Sequence, residues 1–249
     1  MIRNNINPYY AYGFITMYCA DCRDVLGNLE DESIQTVITS PPLSFTLDGQ
    51  CFQAEEAPQD YTKFLIEILG WLKKPLKNNG VVFYELWDTE ALIITQHIAD
   101  VAVQDGWFLK DAIKCYNQND LVKGTVLVFS KTQKPYWNNS LHFPQPWVVP
   151  HEPGLWLCNR CHSIYTEPQI CTCGCVSFTD HLAVFSQELV RRCILLASPN
   201  KPKGFILDPF AGSGTTGLVA KQLRKPTILI EWAERYCQMA EVRFRNAQG

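Results

Sequence analysis

The stretch Phe205-Ile206-Leu207-Asp208-Pro209-Phe210-Ala211-Gly212-Ser213-Gly214-Thr215-Thr216-Gly217 decides the fold. A β-rich run (GFIL) enters it, a helical pattern (LVAKQL) leaves it, and a second β-rich run (TILI) follows and ends in Glu231. Gly212, Gly214 and Gly217 make G-x-G-x-x-G in a strand, loop, helix context, with the acid Glu231 19 positions past Gly212. The glycines let backbone come close to a ligand at a helix N-terminus, and Glu231 is placed to accept hydrogen bonds from ribose hydroxyls. A turn needed only for tight strand-to-helix packing would show the same glycines, but the acid at the end of the next strand favours a nucleoside-containing ligand. Asp208 refines this reading, because a carboxylate there repels a pyrophosphate and attracts an ammonium or sulfonium group. That favours S-adenosylmethionine over a nicotinamide dinucleotide.

Outward from this loop, short β-rich runs alternate with longer segments of helical spacing, which predicts an α/β, Rossmann-like fold, a mostly parallel sheet with helices on both faces. Strands are expected at Phe14–Cys19, Ile34–Thr39, Val81–Leu86, Thr125–Ser130, Phe205–Leu207 and Thr227–Ile230. Helices are expected at Tyr61–Leu76, Ala91–Val103, Gln187–Ala197 and Thr215–Leu223. From Lys131 to Asp180 prolines recur, aromatics are dense and periodicity is lost. The expected organisation is one domain from residues 1–130 and 181–249, with an insertion over 131–180.

The 249 residues, 47% hydrophobic, suffice for one such core and a small appended module. No apolar run reaches membrane-span length and the first residues hold no signal-peptide core, so a soluble cytoplasmic protein without membrane contact is expected. The net charge of −3 hides an asymmetry: residues 1–125 carry 9 basic against 17 acidic side chains, and residues 126–249 carry 13 against 8. Carboxylate-free runs around Lys123, Lys131 and Lys134, and around Arg191, Arg192, Lys201 and Lys203, leave room for a phosphate-facing side, although such runs also serve as plain solvated faces.

Five of the eleven cysteines fall in one stretch, LWLCNRCHSIYTEPQICTCGC. Cys158-x-x-Cys161 and Cys171-x-Cys173 offer four thiolates from two tight turns, the pattern of a structural Zn²⁺ site, with Cys175 as a substitute and His162 and His181 as weaker candidates. A closed thiolate site has no open position for water and so is structural, not catalytic.

The strand at Ile34–Thr39 runs into Ser40-Pro41-Pro42-Leu43. Two prolines donate no backbone hydrogen bonds and hold the chain extended, which fixes the carbonyls of Ser40 and Pro41 as acceptors beyond the strand's carboxyl end. Alone, Pro-Pro after a strand is a stop signal. Together, TSPPL, the later HLAVFSQELVRRCI and the still later LDPFAGSGTTG resemble, in that order, the amino-methyltransferases of the β circular permutation, which methylate cytosine N4 or adenine N6 in DNA. ADCRDVL, LKNNGVVFYEL and LVFSK also resemble the family, so the likeness covers nearly all of residues 14–245 outside 131–180.

The resemblance implies a catalytic group of Ser40, Pro41, Pro42 and Leu43. It places Asp208, Phe210, Gly212 and Gly214 on the methionine side of S-adenosylmethionine, with Phe185 beside it. Glu231 would hold the ribose, Asp21 the adenine amino group, and Trp232 would pack on the adenine. Double-stranded DNA is the implied substrate, with the target base rotated out of the duplex, and residues 131–180 occupy the position of target recognition. A prokaryotic or phage source and a cognate restriction endonuclease are the implied setting. One departure stands out: the family's usual aromatic after the second proline is Leu43 here, which implies either weaker binding of the base or a stacking role moved to Phe45. Serine before Pro-Pro resembles the cytosine-N4 branch, and adenine N6 is the alternative. Cytosine C5 chemistry needs a Pro-Cys nucleophile that the chain lacks. A catalytically silent DNA-binding protein is the rival of another class.

Overall fold

The computed structural model describes residues 6–42, 44–47, 50–53, 57–88, 93–117, 122–150, 152–167, 169, 171–173, 177–181, 184–199 and 204–247. Leu43 and Cys175 lie outside the described residues. In chain order the elements are β1 (Tyr10–Tyr12), β2 (Ile15–Cys19), α1 (Cys22–Leu26), β3 (Ile34–Thr39), β4 (Ser44–Leu47), β5 (Gln50–Gln53), α2 (Pro58–Leu72), β6 (Leu76–Leu86), α3 (Thr95–Gln104) and β7 (Phe108–Asn117). There follow β8 (Val122–Ser130), β9 (Trp147–Val149), β10 (Leu155–Cys158), β11 (Ile164–Tyr165), β12 (Phe178–His181), α4 (Gln187–Ala197), β13 (Phe205–Asp208), α5 (Thr215–Gln222), β14 (Thr227–Glu231) and α6 (Glu234–Asn246).

Among the described residues, nine strands form one sheet in the order β1-β2-β14-β13-β3-β6-β8-β7-β9. From β2 to β6 the neighbours are parallel, β1 is antiparallel to β2, and β8 is antiparallel to both β6 and β7. Every residue of β3 and β14 is buried, as expected of parallel strands covered on both faces. Alternation along them sorts the core. Val37, Ile228 and Ile230 meet residues of α1, α2 and α3, including Val25, Leu65, Ile68 and Ile98. Ile38, Phe83 and Ile206 meet Leu189, Val190 and Val219 from α4 and α5, and Leu229 meets Ala240 and Phe244 of α6. Helices α1–α3 thus cover one face and α4–α6 the other.

That split positions the site. Chain leaving β3 turns to one face through α2 before returning as β6, and chain leaving β13 turns to the other through α5 before returning as β14. Adjacent parallel strands whose connections diverge leave a crevice at their carboxyl ends, and here it lies between β3 and β13.

Helix boundaries follow local chemistry. Pro58 opens α2, Ser186 caps α4 by accepting from the Leu189 amide, and Asp88 accepts from the amides of Ile94 and Thr95 at the start of α3. The helix expected to run to Leu76 stops at Leu72, because Leu76 already pairs with Ile34 as the first residue of β6. Strand β7 was not expected. Register shifts between Leu109 and Asp111 and between Cys115 and Tyr116 break the alternation by which a strand is recognised.

The region expected as an insertion from 131 to 180 divides in two. Its first part lies on the main core: Trp137, Leu141 and Phe143 pack against the α4–α5 side, and β9 adds to the sheet edge in parallel with β7. Trp147 is 2% exposed there. The second part forms a separate three-stranded antiparallel sheet in the order β11-β10-β12. No described helix is long and apolar enough to cross a membrane.

Candidate functional site

The carboxyl ends of the five parallel strands carry most of the residues singled out in the sequence. Cys19 stands opposite Glu231, Asp208 opposite Leu229, and Thr39 opposite Tyr84. Just beyond these ends lie Asp21, Trp232, the glycine loop and Ser40-Pro41-Pro42 along one edge. Ser40 is half-buried, Pro41 buried and Pro42 exposed.

Asp208 is the electrostatic centre of this edge. Its side chain is 2% exposed, and burial pushes its carboxyl up to about 6 against the opposing pull of three donors. Thr39 Oγ1 donates to Oδ1 at 2.8 Å, the Phe210 amide to Oδ1 at 3.1 Å, and Thr216 Oγ1 to Oδ2 at 2.6 Å. The carboxylate therefore joins β3, the glycine loop and α5. Sequence reading placed Asp208 at the cofactor and missed both threonines, which look like ordinary strand and helix residues until the fold brings them together.

Glu231 does the same work one strand away. It accepts from the Gly212 amide at 2.8 Å and from the Ala233 amide at 2.9 Å, and burial raises its carboxyl above the usual range. Gly212 and Gly214 have φ of 52° and 79°, in the left-handed region that glycine tolerates. A Cβ on Gly214 would also lie 2.6 Å from Phe244 Cζ, so the loop sits directly on α6. Arg243 of α6 fastens it further, donating from Nη1 to Ser213 O at 2.7 Å, Ser213 Oγ at 3.0 Å and Thr215 Oγ1 at 3.0 Å. This half-buried arginine was not expected from the sequence.

The remaining residues take these places. Phe210 packs on Phe64 of α2 with ring centroids 5.8 Å apart, and Phe185 packs against the α4–α5 core. Asp21 caps α1 and pairs with Arg23, whose Nη2 is 2.6 Å from Oδ2; these hydrogen bonds hold its carboxyl below the usual range. Trp232 is 65% exposed beside Glu231, a large aromatic face left open at the ligand edge. Glu85, buried near the end of β6, follows Tyr84 as Ser40 follows Thr39, a further acid at this edge that spacing alone did not reveal.

The predicted thiolates converge. The sulfurs of Cys158, Cys161, Cys171 and Cys173 all lie within 4.8 Å of one another, with Cys158 to Cys173 at 3.7 Å and Cys161 to Cys171 at 3.3 Å. Those separations are too long for disulfides, whose sulfurs sit about 2 Å apart. They approach the sulfur–sulfur edge, about 3.8 Å, of a tetrahedron with Zn–S bonds of about 2.3 Å. The Arg160 amide donates to Cys158 Sγ at 3.4 Å. The donor set and its geometry fit a structural zinc ion.

Of the basic residues expected on a phosphate-facing side, Lys201, Lys203 and the Lys123 side chain lie outside the described residues, and Lys131 lies away from this edge. Because β8 runs against β6, Ser130 stands opposite Val81 and the chain leaves the sheet at the edge away from Ser40. Lys131 there donates from Nζ to Lys73 O.

A paired strand-end crevice, a glycine loop on a helix N-terminus and an acid on the next strand define an α/β enzyme that binds a nucleoside-bearing methyl donor. A family model described as DNA methylase, of the N6/N4 type, matches residues 34–242, and the chain belongs to that family of S-adenosylmethionine-dependent DNA methyltransferases. Among its relatives, the Type II methyltransferase M.SmaI of Serratia marcescens is 26% identical over 90% of this chain and 88% of its own length. M.MwoI of Methanothermobacter wolfeii is 32% identical over 82% of this chain, which spans 30% of that longer protein. The fold is similar to that of the PvuII DNA methyltransferase described as cytosine-N4-specific, with a TM-score of 0.72, 22% identity and coverage of 98% of this chain and 92% of that one. It is also similar to M1.HpyAVI in complex with S-adenosylmethionine, with a TM-score of 0.63, 21% identity and coverage of 94% and 100%.

Proposed function

We propose that the protein methylates the exocyclic N4 of cytosine at a specific site in double-stranded DNA, acting on a base rotated out of the duplex. The observation that carries this reading is the Thr39–Asp208 hydrogen bond, which places Ser40-Pro41-Pro42 against the glycine loop. Serine before Pro-Pro, and the likeness in fold to a methyltransferase named as cytosine-N4-specific, favour cytosine over adenine.

S-adenosylmethionine supplies, when bound, a methyl group on a positively charged sulfur. Asp208, Phe210, Gly212, Gly214 and Phe185 would line its methionine side, Glu231 would hold its ribose, Asp21 would meet its adenine amino group and Trp232 would pack on the adenine. The amine of cytosine is a poor nucleophile because its lone pair is delocalised into the ring. Ser40 Oγ and the Pro41 carbonyl accept its two N–H hydrogens and favour a pyramidal nitrogen aligned for in-line attack. The methyl group would be supplied to that nitrogen from the sulfonium sulfur, which would keep the bonding electrons, and the proton displaced from the amine would leave to solvent.

In this reading Cys158, Cys161, Cys171 and Cys173 hold Zn²⁺, which gives folding energy to a module with few aliphatic residues of its own. Residues 131–180 read the target, and the exposed Arg160 beside the thiolates is suited to phosphate or guanine. The relatives named as Type II methyltransferases support a cognate restriction endonuclease as companion and the bacterial cytoplasm as setting.

The test is incubation with labelled S-adenosylmethionine and mixed-sequence duplex DNA, digestion to nucleosides and mass spectrometry. N4-methylcytosine is expected. N6-methyladenine would overturn the target while keeping the enzyme class, and no methylated nucleoside from cofactor-bound protein would overturn the activity.

A further inference from the structure

The three-stranded sheet that carries the thiolates does not stand apart from the cofactor loop. In the β10–β12 pair, Cys158 stands opposite Phe178 at one end and Leu155 opposite His181 at the other. Four residues of β12, spanning about 10 Å at strand geometry, thus run from the thiolate cluster to His181. The sheet itself is bedded on α6: Leu155 and Leu157 share an apolar cluster with Met239 and, around it, Val242.

His181 reaches past that bed to the glycine loop. A Cβ built on Gly212 would lie 2.7 Å from His181 Nε2, which means that the imidazole rests directly on the backbone of the first loop glycine. The ring edge meets Tyr236 of α6 at 4.9 Å and 80°. Burial, reinforced by the nearby Arg243 guanidinium, lowers its pKa to about 4, so the ring is neutral at physiological pH. Nδ1 is buried with no hydrogen-bond partner among the described residues. A group there only to fill space would be apolar, because leaving a polar atom unpaired costs about 1–3 kcal/mol.

Gly212 is also the residue whose amide donates to Glu231. One backbone unit is therefore held from the sheet side by the carboxylate read as the ribose ligand and from the outside by the imidazole.

We infer that His181 is a positioning residue that couples the zinc-bearing sheet to the cofactor loop, so that a filled thiolate site tightens binding of S-adenosylmethionine in the absence of DNA. The inference rests on the zinc and methyltransferase readings above. Metal at Cys158 and Cys161 sets β10, β10 sets the register of β12, and β12 sets the imidazole against Gly212. Loss of the metal relaxes the loop and lowers cofactor affinity without removing any group that touches the cofactor.

The experiment uses the full chain as purified with its metal. Zinc content is measured by elemental analysis, and binding of S-adenosylhomocysteine by titration calorimetry, for the wild type, His181→Ala, Cys161→Ser and the double variant. Circular dichroism and thermal melting establish that each is folded. His181→Gln serves as a second variant at that position should alanine prove unstable.

His181→Ala is expected to keep its zinc and weaken binding about tenfold, within the usual range of coupling between sites. Cys161→Ser is expected to lose zinc and weaken binding by a similar factor, and the double variant to bind no worse than the weaker single one. That shared loss is what coupling through one path demands and what two unrelated structural defects would not give. Wild-type affinity in zinc-free folded protein, wild-type affinity in His181→Ala, or full additivity in the double variant would each overturn the proposal. Wild-type protein that binds the cofactor but carries no zinc would overturn it through the metal reading. Zinc-loaded wild type that binds no cofactor would overturn it through the methyltransferase reading.

Discussion

Thr39 on β3 donates a 2.8 Å hydrogen bond to Oδ1 of Asp208 on β13. The hydroxyl thereby joins the last residue before Ser-Pro-Pro to the last residue of the strand that opens the glycine loop. Thr39→Val keeps the shape and removes the donor. Hydrogen bonds to charged groups contribute about 1.5–3 kcal/mol, so urea denaturation at neutral pH is expected to show a loss of that size. Carbon-13 NMR of the Asp208 carboxyl is expected to show a pKa above that of the wild type. An unchanged pKa would mean that the hydroxyl does not hold the carboxylate.

Asp208 also sets a pH dependence. Its folded pKa of about 6 lies above the ordinary 3.8, so the folded chain binds the proton more tightly than the unfolded one. The associated stability is full below the unfolded value and is lost as pH rises through about 6, by at most about 3 kcal/mol. Glu231, whose carboxyl is also raised by burial, acts in the same direction. Asp208→Asn, compared with the wild type by urea denaturation across this range, is expected to flatten the fall. An unchanged slope would place the proton uptake elsewhere.

Gly214 combines a φ of 79° with a Cβ position 2.7 Å from Ala240 Cβ and 2.6 Å from Phe244 Cζ. Gly214→Ala meets both penalties, about 1–2 kcal/mol for the left-handed backbone and about 1–3 kcal/mol for overpacking. A clear drop in the denaturant midpoint is expected, and an unchanged midpoint would show that α6 yields freely.

Trp232 is open at the cofactor edge, and the outcome for Trp232→Ala is the reverse. Stability should change by no more than about 0.5 kcal/mol, as for exposed positions generally. Cofactor affinity should fall about tenfold, in line with about 1–3 kcal/mol for stacking on an aromatic ring. A variant that binds S-adenosylhomocysteine as well as the wild type would remove Trp232 from the adenine site.

Ser40→Ala should leave cofactor binding intact and lower kcat by about 100-fold or more, the loss typical when a preorganised hydrogen-bonding group is deleted from a transition state. Single-turnover methylation under saturating cofactor measures it. A wild-type rate would leave the Pro41 carbonyl as sole acceptor.

The sequence was most legible where local signals and burial agree. Strands β3, β13 and β14 are short β-rich runs buried almost throughout because both faces are covered, and Gln187–Ala197 is a helix because Ser186 caps it and its apolar spacing faces the sheet. The glycine loop and the four converging cysteines were visible because each depends on residue types at short spacing. What escaped reading depends on distance along the chain. Thr39, Arg243 and His181 acquire their roles only when elements far apart in sequence become neighbours, and no spacing rule links residue 39 to residue 208. Asp21 shows the converse case, since its place at the edge followed from its motif while its ion pair with Arg23 did not.

The weaving of β9 into the main sheet bears on how such a chain can be recombined. A chimaera that exchanges the whole of residues 131–180 would strip the edge strand from β7 and take Trp147 out of the main core, so the recipient would lose part of its own scaffold along with its specificity. Joints placed after Val149 and after His181 spare that strand and carry the thiolate sheet intact. They also carry the imidazole that seats against Gly212, so a graft has to match the recipient's loop as well as its target DNA.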